Sequence, residues 1–313
     1  MTTTPAPGRR MLLDSASMYF RAFFGVPEIR AADGTPVNAV RGLLDFISRL
    51  VEQYSPAELV CCWDNDWRPQ WRVDLVPTYK GHRVVTTRED APDIEEVPDP
   101  LQIQVPLIRE TLAAFGFPVI GADGYEADDV IGTLATGAGR PVDVVTGDRD
   151  LFQLVDDAQD VRVLYIARGV GRHERVTDEW VRAKYAVEPR QYADFATLRG
   201  DASDGLPGVA GVGEKTAATL LARFGDLRTI IAAAADPESE MAPAPRRRIT
   251  AAAAYLEVAP TVVAVARDLD LPRADLDLPR APADPATLAD LAERYNLGGP
   301  VDRLTRALAG VDA

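Results

Sequence analysis

This 313-residue chain has few of the residues that staple or metallate small folds. Its two cysteines, Cys61 and Cys62, sit side by side in ELVCCWD, and its two histidines, His82 and His173, are far apart. That spacing builds neither a disulfide framework nor a zinc centre, and both thiols are expected to be buried in a strand. Long apolar runs are missing as well, none approaching the roughly 18 residues of a membrane span. After the N-terminal MTTTPAPGRR only MLL precedes Asp14, which excludes a secretory signal and leaves a loose tail over residues 1–9. A cytoplasmic location follows by default. Positive charge is also in deficit: 34 Lys and Arg against 48 Asp and Glu give a formal charge of −14. Taken alone, that disfavours a sequence-independent nucleic-acid binder.

What is present reads as a globular α/β chain, 47% hydrophobic and long enough for one large or two modest domains. RMLLD and ELVCCWD are apolar runs that each end in a carboxylate, Asp14 and Asp64. FPVI, PVDVV and VRVLYI are further strands, and helical spacing fills residues 15–24, 36–53, 101–115 and 125–135. Residues 65–100 lack a clean period, carry the acidic EDAPDIEEVPDP, and are expected to form a partly helical, mobile loop. Strands alternating with helices predict a mostly parallel sheet covered on both faces, with ligands outside the carboxyl ends of its strands. Strand signal ends near Thr177. Residues 177–278 then form a helical unit, and 279–313 a peripheral helical appendage.

Acids gather where that sheet edge would lie. Asp14 and Asp64 end strands, Glu126, Asp128 and Asp129 open a helix in GYEADD, Asp148 and Asp150 follow a strand in TGDRD, and Asp201 and Asp204 stand in GDASD. Nine converging carboxylates would raise one another's pKa values unless cations intervened. All-oxygen ligands suit Mg²⁺ or Mn²⁺, and two such ions clamp the oxygens of a phosphoryl transfer. A phosphodiester fits that site.

The stretch GLPGVAGVGEKTA (residues 205–217) looks at first like a nucleotide cradle. A Walker loop needs its lysine directly after the last glycine, but Glu214 stands between Gly213 and Lys215, and helix rather than strand precedes the loop. No nucleotide is therefore expected. Glycines at 208, 211 and 213 allow close approach, and the following helix offers its N–H groups to an anion.

Taken in order, LLDSASMYFRAFF, CCWD, WRVDLVPTYKGHR, PLIRETLAAFGFPVIGADGYEADDVIGTLA, VVTGDRDLFQLV and GDASDGLPGVAGVGEKTAATLLARFG closely resemble the 5′-nuclease superfamily. The match is to the 5′→3′ exonuclease domain joined to bacterial DNA polymerase I and to its flap-endonuclease relatives, over residues 10–266. The resemblance implies a PIN-like, mostly parallel α/β domain (10–176), an arch at about 65–100, and a helix–three-turn–helix DNA-binding domain (177–278). It places all nine carboxylates on the family's metal ligands. Arg21, Lys80 and Arg83 fall on catalytic basic positions, and Arg72 and Tyr79 on DNA-contacting ones, the tyrosine able to stack on an unpaired base. Gly208, Val209, Gly211, Val212, Gly213, Lys215 and Thr216 fall on the loop that grips duplex phosphates with a K⁺ ion. The implied activity is structure-specific 5′→3′ exonuclease and 5′-flap cleavage, by a free-standing, monomeric enzyme of primer removal or repair, nucleoid-associated when bound. Its implied substrates are nicked, gapped or 5′-flapped duplex DNA, with RNA–DNA hybrid left open. Two departures stand out: Phe20 replaces a tyrosine, and Gly205 replaces an asparagine. Rival readings are a ribonuclease of the related small toxin-nuclease fold, which would lack arch and hairpin, and an inactive DNA-binding scaffold, which would have lost a carboxylate.

Overall fold

The computed structural model describes residues 8–86 and 94–310. Most of the expected tail, residues 1–7, and residues 87–93 of the expected arch lie outside that range. The last tail residue is not loose: the Arg9 guanidinium holds Asp143 at 2.8 Å and Asp160 at 2.9 Å.

Along the chain the elements run β1 (Arg10–Asp14), α1 (Ser15–Gly25), α2 (Asn38–Tyr54), β2 (Glu58–Trp63) and α3 (Gln70–Leu75). A short ribbon follows, β3 (Val84–Thr86) against β4 (Ile94–Glu95), then α4 (Asp99–Gln102), α5 (Gln104–Phe115), β5 (Val119–Gly121), α6 (Ala127–Ala135), β6 (Val142–Thr146), β7 (Val161–Tyr165) and β8 (Glu174–Val176). The remainder is helical: α7 (Asp178–Tyr185), α8 (Tyr192–Arg199), α9 (Glu214–Phe224), α10 (Leu227–Ala235), α11 (Pro243–Ala251), α12 (Ala253–Val263), α13 (Pro285–Arg294) and α14 (Gly298–Ala309).

The main sheet has the order β5-β2-β1-β6-β7-β8, parallel except for the antiparallel edge strand β8. Strand side chains alternate between two cores, as period-2 geometry requires. Leu12, Val60, Cys62, Val144 and Val163 face α6 and the helical part, while Met11, Leu13, Leu59, Cys61 and Leu164 face α2 and α5. Sandwiched on both faces, the central strands tolerate little but aliphatic residues, which is why they appear as continuous apolar runs.

The C-terminal helices are not peripheral. Leu288, Leu291, Leu304 and Leu308 are buried in the second core, α14 lies along α2, and the preceding segment bonds to β2 through Leu59 N–H to Leu276 O. Leu304, at 0% exposure, is a sensitive probe of this seam. Leu304→Ala is expected to destabilise the fold by about 2–5 kcal/mol, as a cavity at a core leucine does; urea unfolding measures it, and a loss under about 0.5 kcal/mol would mark the helices as an ornament after all.

Candidate active site

The register Leu13 against Cys61 and Leu13 against Val145 brings the carboxyl ends of β2, β1 and β6 level at one edge. Asp14, Asp64 and Asp148 stand there. Asp14 caps α1 by accepting from Ser17 N at 3.0 Å and from Thr146 Oγ1 at 2.6 Å. Burial, then the Asp64 charge, outweigh those bonds and push its carboxyl up to about 7. Asp64 accepts from Ala127 N at 2.7 Å and is raised chiefly by burial. Asp128 is driven well up by burial, then by Asp148 and Asp14. Asp150 is raised by burial, Asp148 and Asp204, and its Oδ1 is buried without a partner. Asp204 is raised by burial against the opposing pull of Lys80. These six acids repel one another across one site. Aspartates 14, 64, 128 and 148 line a single open groove whose other wall carries Arg21, Lys80 and Arg83.

Three of the nine expected ligands are already occupied by the chain's own donors. Asp129 is 0% exposed, accepts from Arg72 Nη1 and Nη2 at 2.8 Å each, and also takes the N–H groups of Ala266 and Glu126. Its oxygens face away from solvent, which removes it from the ligand set. Glu126 accepts from Arg72 at 2.7 Å, from the Tyr79 hydroxyl at 2.6 Å and from Lys80. Asp201 accepts from Ser203 N at 2.9 Å, Arg199 at 2.9 Å and Arg149 at 3.3 Å. Burial alone would raise the Asp201 carboxyl, but these donors hold it below the usual range. Among the described residues no group of three or more His, Cys, Asp or Glu side chains is arranged to hold an ion as it stands. Of the nine, Asp129 departs furthest from the expected role, with both oxygens engaged and turned from solvent.

Two basic-wall expectations also change. Arg72 is only 2% exposed, locked between Glu126, Asp129 and Val262 O, so it does not face DNA. Tyr79 is 4% exposed with its hydroxyl on Glu126 and has no free face for a base. Lys80 stays at the groove, its charge held by Glu126 against burial. Arg83 reaches Ser203 O at 2.7 Å and Asp204 at 3.2 Å, and Arg21 donates to Ala167 O at 2.9 Å beside the groove.

The glycine loop follows helix α8 and a short 3-10 turn (Ala202–Asp204), not a strand. Gly208 has φ +66°, and a Cβ there would meet Arg199 O at 2.6 Å, so this glycine serves the turn itself. Val209 and Val212 are buried core residues whose N–H groups are spent on Leu198 O and Val209 O, at 2.9 Å each. Neither amide can grip a phosphate. Gly211, Gly213 and Lys215 are exposed and Thr216 half-buried at the start of α9, which has no side-chain cap. The unexpected Gly205 has φ +69° and lies against Thr78 O, letting the base of the arch sit on the loop.

Sequence reasoning missed Thr146, Arg149, Arg199 and Gln153. Arg149, between two acids in TGDRD, offered a signal; Gln153 offered none.

Two family models match consecutive parts of the chain: the 5′-3′ exonuclease N-terminal resolvase-like domain over residues 9–186, and the 5′-3′ exonuclease C-terminal SAM fold over 187–286. The chain belongs to the 5′-3′ exonuclease family. It is 58% identical to a 5′-3′ exonuclease of Streptomyces coelicolor, over 95% of this chain and 99% of that one. A Mycobacterium tuberculosis 5′-3′ exonuclease is 51% identical over 95% and 97%. The DNA polymerase I of Mycobacterium bovis matches at 42% over 74% of this chain but only 25% of its own length. Among solved structures, T5 5′-exonuclease with divalent zinc ions bound has a TM-score of 0.64 at 18% identity, over 97% and 100% of the two chains. Flap endonuclease-1 from Methanococcus jannaschii has 0.58 at 16%, over 97% and 93%. At those identities the structural likeness carries the fold alone.

The raised Asp14 has a thermodynamic signature. An acid whose folded pKa, about 7, exceeds its unfolded value of 3.8 binds its proton more tightly when folded. Stability is therefore greatest below the unfolded value and declines as pH rises through that window. In EDTA the exonuclease should be more stable at pH 5 than at pH 8. Asp14→Asn should narrow the gap by stabilising the pH 8 state by about 1 kcal/mol or more. Equal gaps for the two proteins in urea melts would refute the assignment.

Proposed function

We propose that this exonuclease hydrolyses DNA phosphodiesters at nicks, gaps and 5′ flaps, in primer removal or repair. Water adds to phosphorus as the P–O3′ bond breaks, leaving a 5′-phosphate on one fragment and a 3′-hydroxyl on the other. The observation that carries this reading is the mutual repulsion of aspartates, buried at 14, 150 and 204 and half-buried at 64, 128 and 148, gathered around the carboxyl edge of the sheet, where Arg21, Lys80 and Arg83 also line the groove. A hard cation would relieve that repulsion, and the partnerless Asp150 Oδ1 is a donor of the right kind. Asp14, Asp128, Asp148, Asp150 and Asp204 would hold two Mg²⁺ or Mn²⁺ ions, with Asp64 beside them. When bound, these ions supply Lewis-acid activation of water and neutralise charge on the phosphate.

The chain's own residues do the rest. Lys80, Arg83 and Arg21 would hold the phosphate oxygens, an electrostatic task indifferent to base identity. Gly211, Gly213, Lys215 and Thr216 would grip duplex phosphates with backbone N–H groups at the start of α9, with a K⁺ held in the loop. A monomer suffices, because every proposed group lies on one chain. No helix among the described residues is long and apolar enough to cross a membrane.

Asp148→Asn should lower the cleavage rate on an end-labelled nicked duplex by orders of magnitude, while duplex affinity in anisotropy stays within about threefold. Full turnover in excess EDTA would refute the reading; an RNA-initiated 5′ end in the same assay tells whether hybrids are cut. Gly211, with φ +75° and Arg248 against it, tests the loop. Gly211→Val should weaken every duplex sequence about equally and leave single strands alone. Unchanged duplex affinity would remove the loop from the interface.

A further inference from the structure

The last turn of α12 and the chain leaving it, residues 262–267, are tied down on two sides. On one side Arg72 donates Nε to Val262 O at 3.1 Å while its two terminal nitrogens hold Glu126 and Asp129, and Asp129 accepts from Ala266 N at 2.8 Å. On the other, Gln153 donates to Val263 O at 3.1 Å and to Asp150 O at 2.8 Å, and accepts from Val265 N at 3.1 Å. Gly132 of α6 leaves no room for a side chain, since a Cβ there would strike Ala266 O and lie 2.8 Å from Val265 Cγ2. The strap thus lies flush on the helix that Glu126 caps and beside the turn that carries Asp150. Its other end belongs to the glycine loop's support: α12 packs on α8, with Tyr255 donating to Thr197 O at 3.2 Å, and α8 runs straight into Gly200 and Asp201.

We infer that Arg72 and Gln153 are positioning residues: they clamp this strap between the two acid-bearing elements and so fix which phosphodiester of a helically held duplex reaches the carboxylates. The inference rests on the nuclease reading above. A guanidinium is suited to the task, because its planar fork serves a carbonyl and two carboxylates at once, whereas an ammonium is a single point charge. Burial makes the arrangement unforgiving, since none of its partners can turn to water.

Arg72→Lys keeps the buried cation, and Gln153→Leu keeps roughly the volume on the opposite side of the strap, so both variants retain most of the packing. On an end-labelled flapped duplex each should spread cleavage over neighbouring positions and lower kcat roughly 10- to 100-fold, as small misplacements of reacting groups do. KM and duplex affinity should stay within about twofold. Amide hydrogen exchange at Val265 and Ala266 should accelerate in the same variants while the α9 start is unaffected. Slower cutting at one unchanged position, or unchanged exchange at both amides, would overturn the inference. So would a raised KM with unchanged kcat in Arg72→Lys, which is the mark of a direct substrate contact by Arg72. The exchange measurement judges the clamp even if the wild-type chain cuts no DNA, an outcome that would instead refute the proposed function.

Discussion

Like charges buried side by side raise the free energy of any fold that contains them, and here that repulsion organises everything around it. Parallel strands deliver Asp14, Asp64 and Asp148 to the same edge simply because their registers agree. Asp14 is buried and Asp64 and Asp148 half-buried, so water screens them less than it would at an open surface. The chain answers part of it with its own cations: Arg72 and Lys80 meet Glu126 and Asp129, Arg149 and Arg199 meet Asp201, and Arg83 meets Asp204. Asp14, Asp64, Asp128 and Asp148 at the groove have no such ion pair among the described residues, which is the condition under which an external cation and an anionic ligand are both welcome.

The uneven compensation also explains what could be read in advance. An apolar run that ends abruptly in aspartate reveals both a buried strand and a polar edge, so Asp14 and Asp64 were legible from RMLLD and ELVCCWD alone. Asp128 and Asp129, adjacent in the chain, were not distinguishable. Their fates separate because the helix turns one toward the groove and the other toward Arg72, which is 57 residues away in sequence. The same long-range pairing hid the roles of Arg72 and Tyr79, whose motif suggested a surface contact but whose side chains are drawn inward by Glu126. In the glycine loop the pattern marked the right segment but could not tell amides spent on turns, as at Val209 and Val212, from those left open.

Other misreadings have a similar origin. The three-residue β8 is too short to show a period, and it forms because β7 offers an open edge. The C-terminal helices look amphipathic and detachable in isolation. Their apolar stripes have a destination only once α2 is in place, and a sequence does not display the surface that awaits it.

Cys61 and Cys62 occupy consecutive positions of β2, so the pleat sends one thiol into each of the two cores. They cannot pair with each other across the sheet, and burial pushes both thiols up, Cys61 to about 12. Their alkylation must therefore wait for an opening of the layer above each one. The strand carries two internal clocks, one per layer, and any difference in their labelling rates would time the detachment of the helical part separately from the loss of the α2 face.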